Sequence, residues 1–209
     1  MRIIGGTAAR RLLKAPSGYA VRPTPDRVKQ AVFNSLGDFV SGASVLELFA
    51  GTGALGLECL SRGAHRLVAV EKSDRQARFI RENARTAQLD TSALSLRIQD
   101  VFPALSQLLA EGERFQLILA DPPYGEKNSG HRSRSLAQAL LDAPALLELL
   151  AENGLFVLGH AKRDQLTLPP SWKAKKSLEH GDNRMLFLFK SPTPPGSPDP
   201  ATPADPTAG

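Results

Sequence analysis

The sequence predicts an α/β fold, with a mostly parallel seven-stranded sheet, helices on both faces and an antiparallel hairpin at its C-terminal end. Three patterns support this prediction. Short apolar runs alternate with helical segments from residue 43 onward, which is typical of βαβ units. A glycine-rich turn joins the first of these runs to the first helix. The last two runs are separated only by HGDNR, residues 180–184, and therefore favour a hairpin.

An extension precedes the alternating part. Two short apolar runs, RIIGG at residues 2–6 and YAVRP at residues 19–23, favour an extended or hairpin segment because a Gly-Gly turn ends the first. A helix is expected next, with Thr24 as its N-cap and Pro25 at its first helical position. Gly37 can end this helix.

The alternating part supplies the sheet and most of the helices. Its predicted strands are ASVLELF (43–49), RLVAVE (66–71), LSLRIQ (94–99), FQLILA (115–120) and GLFVLGH (154–160). Its predicted helices are GALGLECLSRG (53–63), SDRQARFIRENARTAQ (73–88), a segment near 101–111 and a segment near 134–151. The two final strands lie within residues 173–190. The remaining segment, 191–209, has seven prolines and no large apolar residue, so it is expected to be disordered.

Positive charge is concentrated at the N-terminus. The formal net charge is +5, and residues 1–40 carry all of it, since residues 41–209 hold 19 basic and 19 acidic side chains. A basic arm on a neutral body indicates a polyanionic partner, with nucleic acid the first candidate, or else a solvated arm of no special purpose. The seven basic residues are Arg2, Arg10, Arg11, Lys14, Arg22, Arg27 and Lys29.

Cysteine usage and hydropathy limit the setting of the protein. The single cysteine, Cys59, permits no internal disulfide and no cysteine-rich metal site, which fits a reducing compartment. The N-terminus lacks the apolar stretch of a signal peptide, and no segment reaches the roughly 18 apolar residues of a membrane span. We therefore expect a cytoplasmic protein without a bound metal.

The turn after the first strand has the spacing of a nucleoside-cofactor site. Gly51, Gly53 and Gly56 match G-x-G-x-x-G between a strand and a helix, and Glu71 ends the next strand 20 residues after Gly51. Glycines let backbone approach a ligand closely, and an acid at that strand end can bind a ribose diol. The pattern predicts a Rossmann-like sheet, although it does not choose between a dinucleotide and another nucleoside cofactor.

Two further acids bear on that choice. Glu47, four residues before the first glycine, would repel a pyrophosphate but suits a ligand with a cationic ammonium group, such as S-adenosylmethionine. Its alternative role is that of a strand-end acid capped by nearby amides. Asp100 ends the third strand and either lies near the adenine or caps the following helix.

The segment LILADPPYG, residues 117–125, halts a core strand at an acid and two prolines. The prolines stiffen the backbone that follows. Asp121 can offer its carboxylate and Pro122 its carbonyl as acceptors for an exocyclic amine, which favours the pyramidal nitrogen of a methyl-transfer transition state. Tyr124 offers a stacking face for a base taken out of its helix. Whether Asp121 also accepts the proton stays open.

These motifs, in this order, resemble class I S-adenosylmethionine-dependent methyltransferases that act on exocyclic amines. The resemblance implies that Asp121, Pro122 and Tyr124 are catalytic. It also implies a set of cofactor contacts from the glycine loop and the strand ends, namely Glu47, Phe49, Gly51, Thr52, Gly53, Gly56, Glu71, Lys72, Asp100, Val101 and Asp121.

A narrower resemblance covers residues 2–190. RIIGG, RPTPDRVKQAVFNSL (22–36) and FAGTGALGLECLSRGA (49–64) are similar to the bacterial small-subunit (16S) ribosomal RNA guanine-N2 methyltransferase family. It implies that residues 1–40 contact RNA, that 41–190 form the methyltransferase domain, and that Phe33 and Asn34 line the cofactor pocket, although Phe33 can equally be core. The implied RNA contacts are Arg2, Arg10, Arg11, Arg22, Thr24 and Arg27. The family suggests a small ribosomal subunit or assembly intermediate as substrate, and nothing demands more than a monomer.

Four other functions stay open at this point. DPPY also serves DNA adenine-N6 methyltransferases, but no insertion large enough to read a DNA sequence is present. Protein glutamine methyltransferases usually have Asn in place of Asp121. A non-catalytic RNA-binding protein would be expected to have lost the glycines or the DPPY segment, and a dehydrogenase is disfavoured by Glu47.

Overall fold

The computed structural model describes residues 1–16, 25–124 and 132–192. The strands are β1 (Ser44–Leu48), β2 (Arg66–Val70), β3 (Leu94–Arg97), β4 (Phe115–Ala120), β5 (Leu150–Ala161), β6 (Trp172–His180) and β7 (Asn183–Lys190). The helices are α1 (Asp26–Leu36), α2 (Gly56–Ser61), α3 (Asp74–Thr86), α4 (Val101–Ala110), α5 (Leu136–Leu141) and α6 (Pro144–Leu149). Short 3₁₀ turns cover Gly37–Val40 and Thr91–Ala93.

All seven strands form one sheet in the order β3-β2-β1-β4-β5-β7-β6. Strands β1 to β5 pair in parallel, whereas β7 runs antiparallel to both β5 and β6. The predicted fold class, including the C-terminal hairpin, is therefore confirmed. The chain leaves β1 toward β2 and later returns to β4 on its other side, which creates a topological switch point where α/β proteins bind ligands.

Helices cover both faces of the sheet. The front face, which carries Val45, Leu117, Val157 and Phe187, packs against α1, α2 and α3. The back face packs against α4, α5 and α6. Because side chains alternate along a strand, this assignment also fixes where the residues just beyond each strand point.

Two helices differ from the prediction. Pro25 is the N-cap and α1 begins at Asp26, while Gly37 ends the helix as predicted, with φ +52° and its N–H bonded to Phe33 O. Thr24 lies outside the described residues. The single helix predicted near 134–151 is instead α5 and α6, because Pro144 has no N–H to continue α5 and starts a new helix.

The N-terminal segment forms a tighter hairpin than predicted. Arg2 bridges Leu12 in antiparallel fashion, and the Ile3 N–H donates to Arg11 O at 2.9 Å. The run YAVRP, residues 19–23, lies outside the described residues. Ile3 and Leu13 are buried in the front-face core, so the described part of the N-terminal extension packs onto the sheet as a structural element.

A buried carboxylate holds this segment in place. Glu58 of α2 accepts the backbone N–H groups of Ile4 at 2.7 Å and Gly5 at 2.8 Å. Glu58 also pairs with two cations, Arg62 and Lys29 of α1. The Lys29 Nζ lies 3.4 Å from Glu58 Oε2, and both of these side chains are 0% exposed. Burial lowers the pKa of Lys29. Lys29 belongs to the basic N-terminal region by sequence, but its ammonium group is buried beside Glu58 and is not available to a partner at the surface.

None of the helices formed by the described residues is long and apolar enough to cross a bilayer.

We expect Glu58→Ala to lower the free energy of unfolding by about 3–5 kcal/mol, because it leaves Lys29 buried and two backbone N–H groups without their acceptor. Denaturant unfolding followed by circular dichroism measures this loss. Glu82→Ala is the matched control, since Glu82 pairs with Lys14 at the exposed surface and its removal should leave the midpoint nearly unchanged. Equal midpoints for the two variants would contradict the anchoring role of Glu58.

Candidate active site

The predicted site residues converge at the carboxyl edge of the parallel strands. Leu48 of β1 pairs with Val70 of β2 on one side and with Ala120 of β4 on the other. The residues that follow these positions, including Glu71 and Asp121, therefore lie level at one edge of the sheet. This edge is the switch point between β1 and β4, so the acids predicted to contact the cofactor and the predicted catalytic acid share one region.

The glycine loop turns back over this edge. Phe49, Gly51 and Gly53 all have left-handed backbone, with φ of +54°, +57° and +80°. Such a conformation costs a non-glycine residue of order 1–3 kcal/mol, so Phe49 marks a strained position of the kind found at ligand sites. Gly56 is required for a different reason, because a Cβ there would lie 2.4 Å from Glu47 Oε2 and 2.7 Å from the Leu67 side chain.

Glu47 is capped by backbone amides, while its contact with a cationic ligand stays a prediction. It is 3% exposed, and its Oε1 accepts the Leu55 N–H at 3.1 Å, as the amide-capped interpretation requires. Its Oε2 has no hydrogen-bond partner within the described part of the chain. Burial raises the pKa of Glu47 to about 7, against the opposing effect of the Gly56 and Leu55 amides. A buried oxygen in need of a donor fits a cationic ligand group.

Glu71 ties the loop to the second strand. Its Oε2 accepts the Gly51 N–H and its Oε1 accepts the Ser73 N–H, each at 2.8 Å. A carboxylate oxygen has a further lone pair, so both remain able to accept from a diol. Lys72, between Glu71 and Ser73 in the sequence, is exposed. The buried Glu71 is thus pre-oriented toward the loop that precedes α2.

The third strand end is apolar as well as acidic. Asp100 accepts the Phe102 N–H at 3.0 Å and is the N-cap of α4, which confirms the helix-cap alternative, while the adenine contact stays a prediction. Ile98, which the sequence analysis missed, is 40% exposed and follows β3 directly. An exposed large apolar residue at a strand end suits a flat aromatic ligand. Ile98 falls within the predicted strand 94–99, and the observed β3 ends one residue before it.

The DPPY segment leaves β4 as expected. Asp121 continues the front-face series of Leu117 and Leu119, so it projects on the side covered by α1. Pro122 is buried, whereas Tyr124 is 44% exposed. Burial, and secondarily the charge of Asp121, raises the pKa of the Tyr124 phenol, which therefore stays protonated. The result is a rigid acid next to an accessible aromatic ring.

Gly159 of β5 makes room for Asp121, the predicted catalytic acid, and no sequence motif indicated Gly159. A Cβ at position 159 would lie 2.4 Å from Asp121 Oδ1 and 3.2 Å from Met185 Sδ. Any side chain there would displace the Asp121 carboxylate. The contact depends on the pairing of β4 with β5, which a single sequence does not reveal.

Asn83 is a third residue that the sequence patterns did not indicate. Its Oδ1 accepts the Lys14 N–H at 2.8 Å, and its Nδ2 donates to Thr52 O at 3.1 Å. It therefore links the N-terminal segment to the glycine loop. Phe33 is 1% exposed beneath the Arg62 guanidinium, 4.8 Å from its ring centroid, which supports the core alternative for Phe33. Asn34 is exposed.

The predicted RNA contacts separate into groups. Arg2, Arg10 and Arg27 line one surface groove of about 430 Å³, together with Ile3, Ile4, Asp26 and Gln30. Arg2 pairs with Asp26 at 3.0 Å. Arg11 instead donates to Gln88 at 2.7 Å, away from the groove residues. Arg22 and Thr24 lie outside the described residues.

The residues at the sheet edge fit S-adenosylmethionine. The negative charge of the Glu47 carboxylate suits its ammonium group, Glu71 suits its ribose, and Ile98 and Val101 suit its adenine. A pyrophosphate would meet the two buried carboxylates instead.

We expect S-adenosylhomocysteine affinity to rise roughly tenfold from pH 6 to pH 8, because the ionised form of Glu47 prevails only above its pKa of about 7. Calorimetric titration at several pH values measures this, and Glu47→Gln should abolish the dependence. The same raised pKa makes Glu47 stabilise the fold at low pH, a contribution lost as pH rises from about 4.5 through 7. A steep pH dependence that persists in Glu47→Gln would place the titrating group elsewhere.

Known proteins resemble the chain over most of its length. A family model described as conserved hypothetical protein 95 matches residues 1–189. YlbH of Bacillus subtilis strain 168 is 34% identical over 166 residues, which cover 79% of this chain and 85% of YlbH. Ribosomal RNA small subunit methyltransferase D of Escherichia coli K12 is 30% identical over 179 residues, 82% of this chain and 81% of that protein.

A solved structure extends this similarity to the fold. Hypothetical protein TTHA0928 of Thermus thermophilus superposes with a TM-score of 0.72 at 32% identity, covering 91% of this chain and 99% of that one. Since the family model and these relatives both span more than three quarters of the sequence, the chain belongs to the conserved hypothetical protein 95 family, the RsmD-type methyltransferases.

Proposed function

We propose that the protein transfers a methyl group from S-adenosylmethionine to the exocyclic N2 of a guanine in small-subunit (16S) ribosomal RNA. The observation that carries this proposal is the position of Asp121 and Tyr124, at the sheet edge shared with Glu47 and Glu71. The groove lined by arginines belongs to the N-terminal segment that packs on the same sheet face. The printed name of the Escherichia coli relative supports the same substrate class.

The cofactor contacts are proposed residue by residue. Glu47 binds the ammonium group, Glu71 the ribose, and Asp100 with Val101 the adenine. Bound S-adenosylmethionine supplies an electrophilic methyl group on a sulfonium. The loop and strand-end residues complete the proposed set, namely Phe49, Gly51, Thr52, Gly53, Gly56 and Lys72.

Asp121 and Pro122 act on the nucleophile. The lone pair of an exocyclic guanine amine is conjugated to the ring, which makes the amine a poor nucleophile. The Asp121 carboxylate and the Pro122 carbonyl accept its two N–H groups and hold them out of the ring plane, which favours the geometry of the transition state. Gly159 keeps this carboxylate in position. Tyr124, protonated and accessible, stacks on the flipped base.

RNA is held by the N-terminal groove. Within the described residues, Arg10 and Arg27 pair with no carboxylate, so their charges are available to phosphates. We further propose that the substrate is a small subunit or an assembly intermediate, that the enzyme is a monomer and that it works in the cytoplasm, where a chain with one buried cysteine meets reducing conditions.

We expect Asp121→Ala to abolish methyl transfer while S-adenosylhomocysteine affinity stays within a few fold, because the acid contacts the amine more closely than the cofactor. Labelled S-adenosylmethionine and small subunits from a strain lacking the protein provide the assay. Asp38→Ala, at an exposed 3₁₀ turn, is the matched control and should keep full activity.

Mapping the labelled base tests the rest of the proposal. Label on guanine N2 of 16S RNA is expected. Label on an adenine N6, or near-normal turnover by Asp121→Ala, would contradict it.

We expect Arg10→Gln/Arg27→Gln to weaken RNA binding and to reduce the slope of log K against log salt by about 1.5, since each lost phosphate contact removes about 0.7–0.9. Binding to a 16S fragment at several salt concentrations measures the slope. The control is Arg114→Gln, because Arg114 precedes β4 and lies at the amino ends of the parallel strands. These substitutions are preferable to deleting residues 1–20, because that deletion removes the buried Ile3 and Leu13. An unchanged slope would exclude the groove as the RNA contact.

A further inference from the structure

Three strands, β5, β7 and β6, extend the front face of the sheet from Asp121 to the outer strand β6. Asp121 lies against Gly159 of β5, which pairs with Met185 of β7, and Met185 in turn pairs with Leu178 of β6. Three strand spacings span about 14 Å. Lys176 lies level with Val157, two residues before Gly159, and Lys173 lies two residues further along β7, so the two lysines are about 16 and 20 Å from the position of Asp121. An RNA segment that flanks a base bound at Asp121 can span these distances.

An irregularity in β6 places two lysines on this face. The pairing shifts between Ala174, opposite Leu188, and Lys176, opposite Phe187. Phe187 belongs to the front-face core, so Lys176 lies on the same face as α1 and Asp121. Lys173 pairs with Phe189, two residues beyond Phe187 and hence on the same face. A β-bulge commonly re-aims side chains in this way.

Both lysines are exposed cations without a neutralising acid. Lys173 lies 6.0 Å from the Phe189 ring centroid, and Lys176 donates to Ser35 of α1 at 2.9 Å. Within residues 1–16, 25–124 and 132–192, neither forms an ion pair. The nearby cations Lys162 and Arg184, by contrast, share the carboxylate of Glu179. The charge of the two lysines is thus available to a polyanion.

Helix α1 connects this site with the arginine groove. Its first turn contributes Asp26 and Arg27 to the groove, and Ser35 in its last turn contacts Lys176. The exposed side chains between them, Gln30 and Asn34, are polar. Over its 11 residues the helix spans roughly 16 Å, so both ends of its outer face carry positive charge with a polar surface between.

We propose that Lys173 and Lys176 form a second RNA phosphate contact, at the end of α1 opposite the arginine groove. This inference rests on the proposed function. RNA then runs along the outer face of α1, with one contact at Arg10 and Arg27 and the other at the lysines of β6. Phosphate contacts at both ends of α1 offset part of the cost of unstacking the target base that reaches Asp121.

Lysines on an edge strand have another common use, which is to prevent edge-to-edge pairing of sheets. Protection of the edge strand does not require RNA, so a measurement of RNA binding distinguishes it from phosphate contact. The substitution Lys173→Gln/Lys176→Gln removes both charges and leaves an amide at position 176 to bond Ser35. Lys173→Arg/Lys176→Arg keeps the charge.

The experiment measures binding of the full chain to a 16S RNA fragment at several salt concentrations. For Lys173→Gln/Lys176→Gln we expect the slope of log K against log salt to fall by about 1.5 and S-adenosylhomocysteine affinity to stay unchanged. The Arg variant should restore the wild-type slope, and Arg114→Gln should lower it by much less. Thermal unfolding confirms that the variants fold.

A wild-type slope in Lys173→Gln/Lys176→Gln, with a reduced slope in Arg10→Gln/Arg27→Gln, would overturn the inference and leave the lysines as edge protection. Methylation of small subunits by the wild-type protein is read in parallel. Its absence would overturn the proposed function itself, so the two failures are distinguished.

Discussion

The buried interaction between Glu58 and Lys29 determines how the rest of the molecule can work. Two opposite charges with no exposed surface would be costly by themselves, but Glu58 also receives the N–H groups of Ile4 and Gly5 and the Arg62 side chain. Helices α1 and α2 and the N-terminal hairpin are thereby joined through one carboxylate. Because the hairpin and the first turn of α1 line the arginine groove, Glu58 contributes to fixing the position of that groove relative to the sheet, together with Asn83 and the buried Ile3 and Leu13.

The sheet edge separates two chemical tasks that both use acids. Glu47 is buried, and one of its carboxylate oxygens accepts a backbone N–H. Burial raises its pKa to about 7, so a nearby cation would favour its ionised form. Asp121 lies one strand away, immediately before two prolines, where Gly159 leaves space for its carboxylate. In the proposed function, one carboxylate holds a charged ligand and the other orients an amine, and the two acids differ in burial and in the backbone that carries them.

Much of the fold could be predicted, since strand and helix patterns, the glycine loop and the DPPY segment are local signals. The helix near 134–151 was predicted as one because its apolar spacing continues across Pro144, and the proline decided otherwise. Residues such as Gly159 and Asn83 could not be found in the same way, because their roles appear only when distant segments pair. Lys29 shows the same limit, since its charge looked like part of a surface arm until Glu58 was placed beside it.

The long separation between the hairpin and its anchors has a consequence for how the protein matures. Ile4 and Lys14 are synthesised before the side chains that hold them, Glu58 and Asn83, which follow 54 and 69 positions later. Nascent chains emerge from the N-terminal end, so this hairpin must wait, without its partners, until α2 and α3 have been synthesised. Its docking is a late, high-contact-order event. The part of the protein proposed to grip RNA is thus completed only after the cofactor loop has formed, and an incomplete chain has no assembled RNA groove.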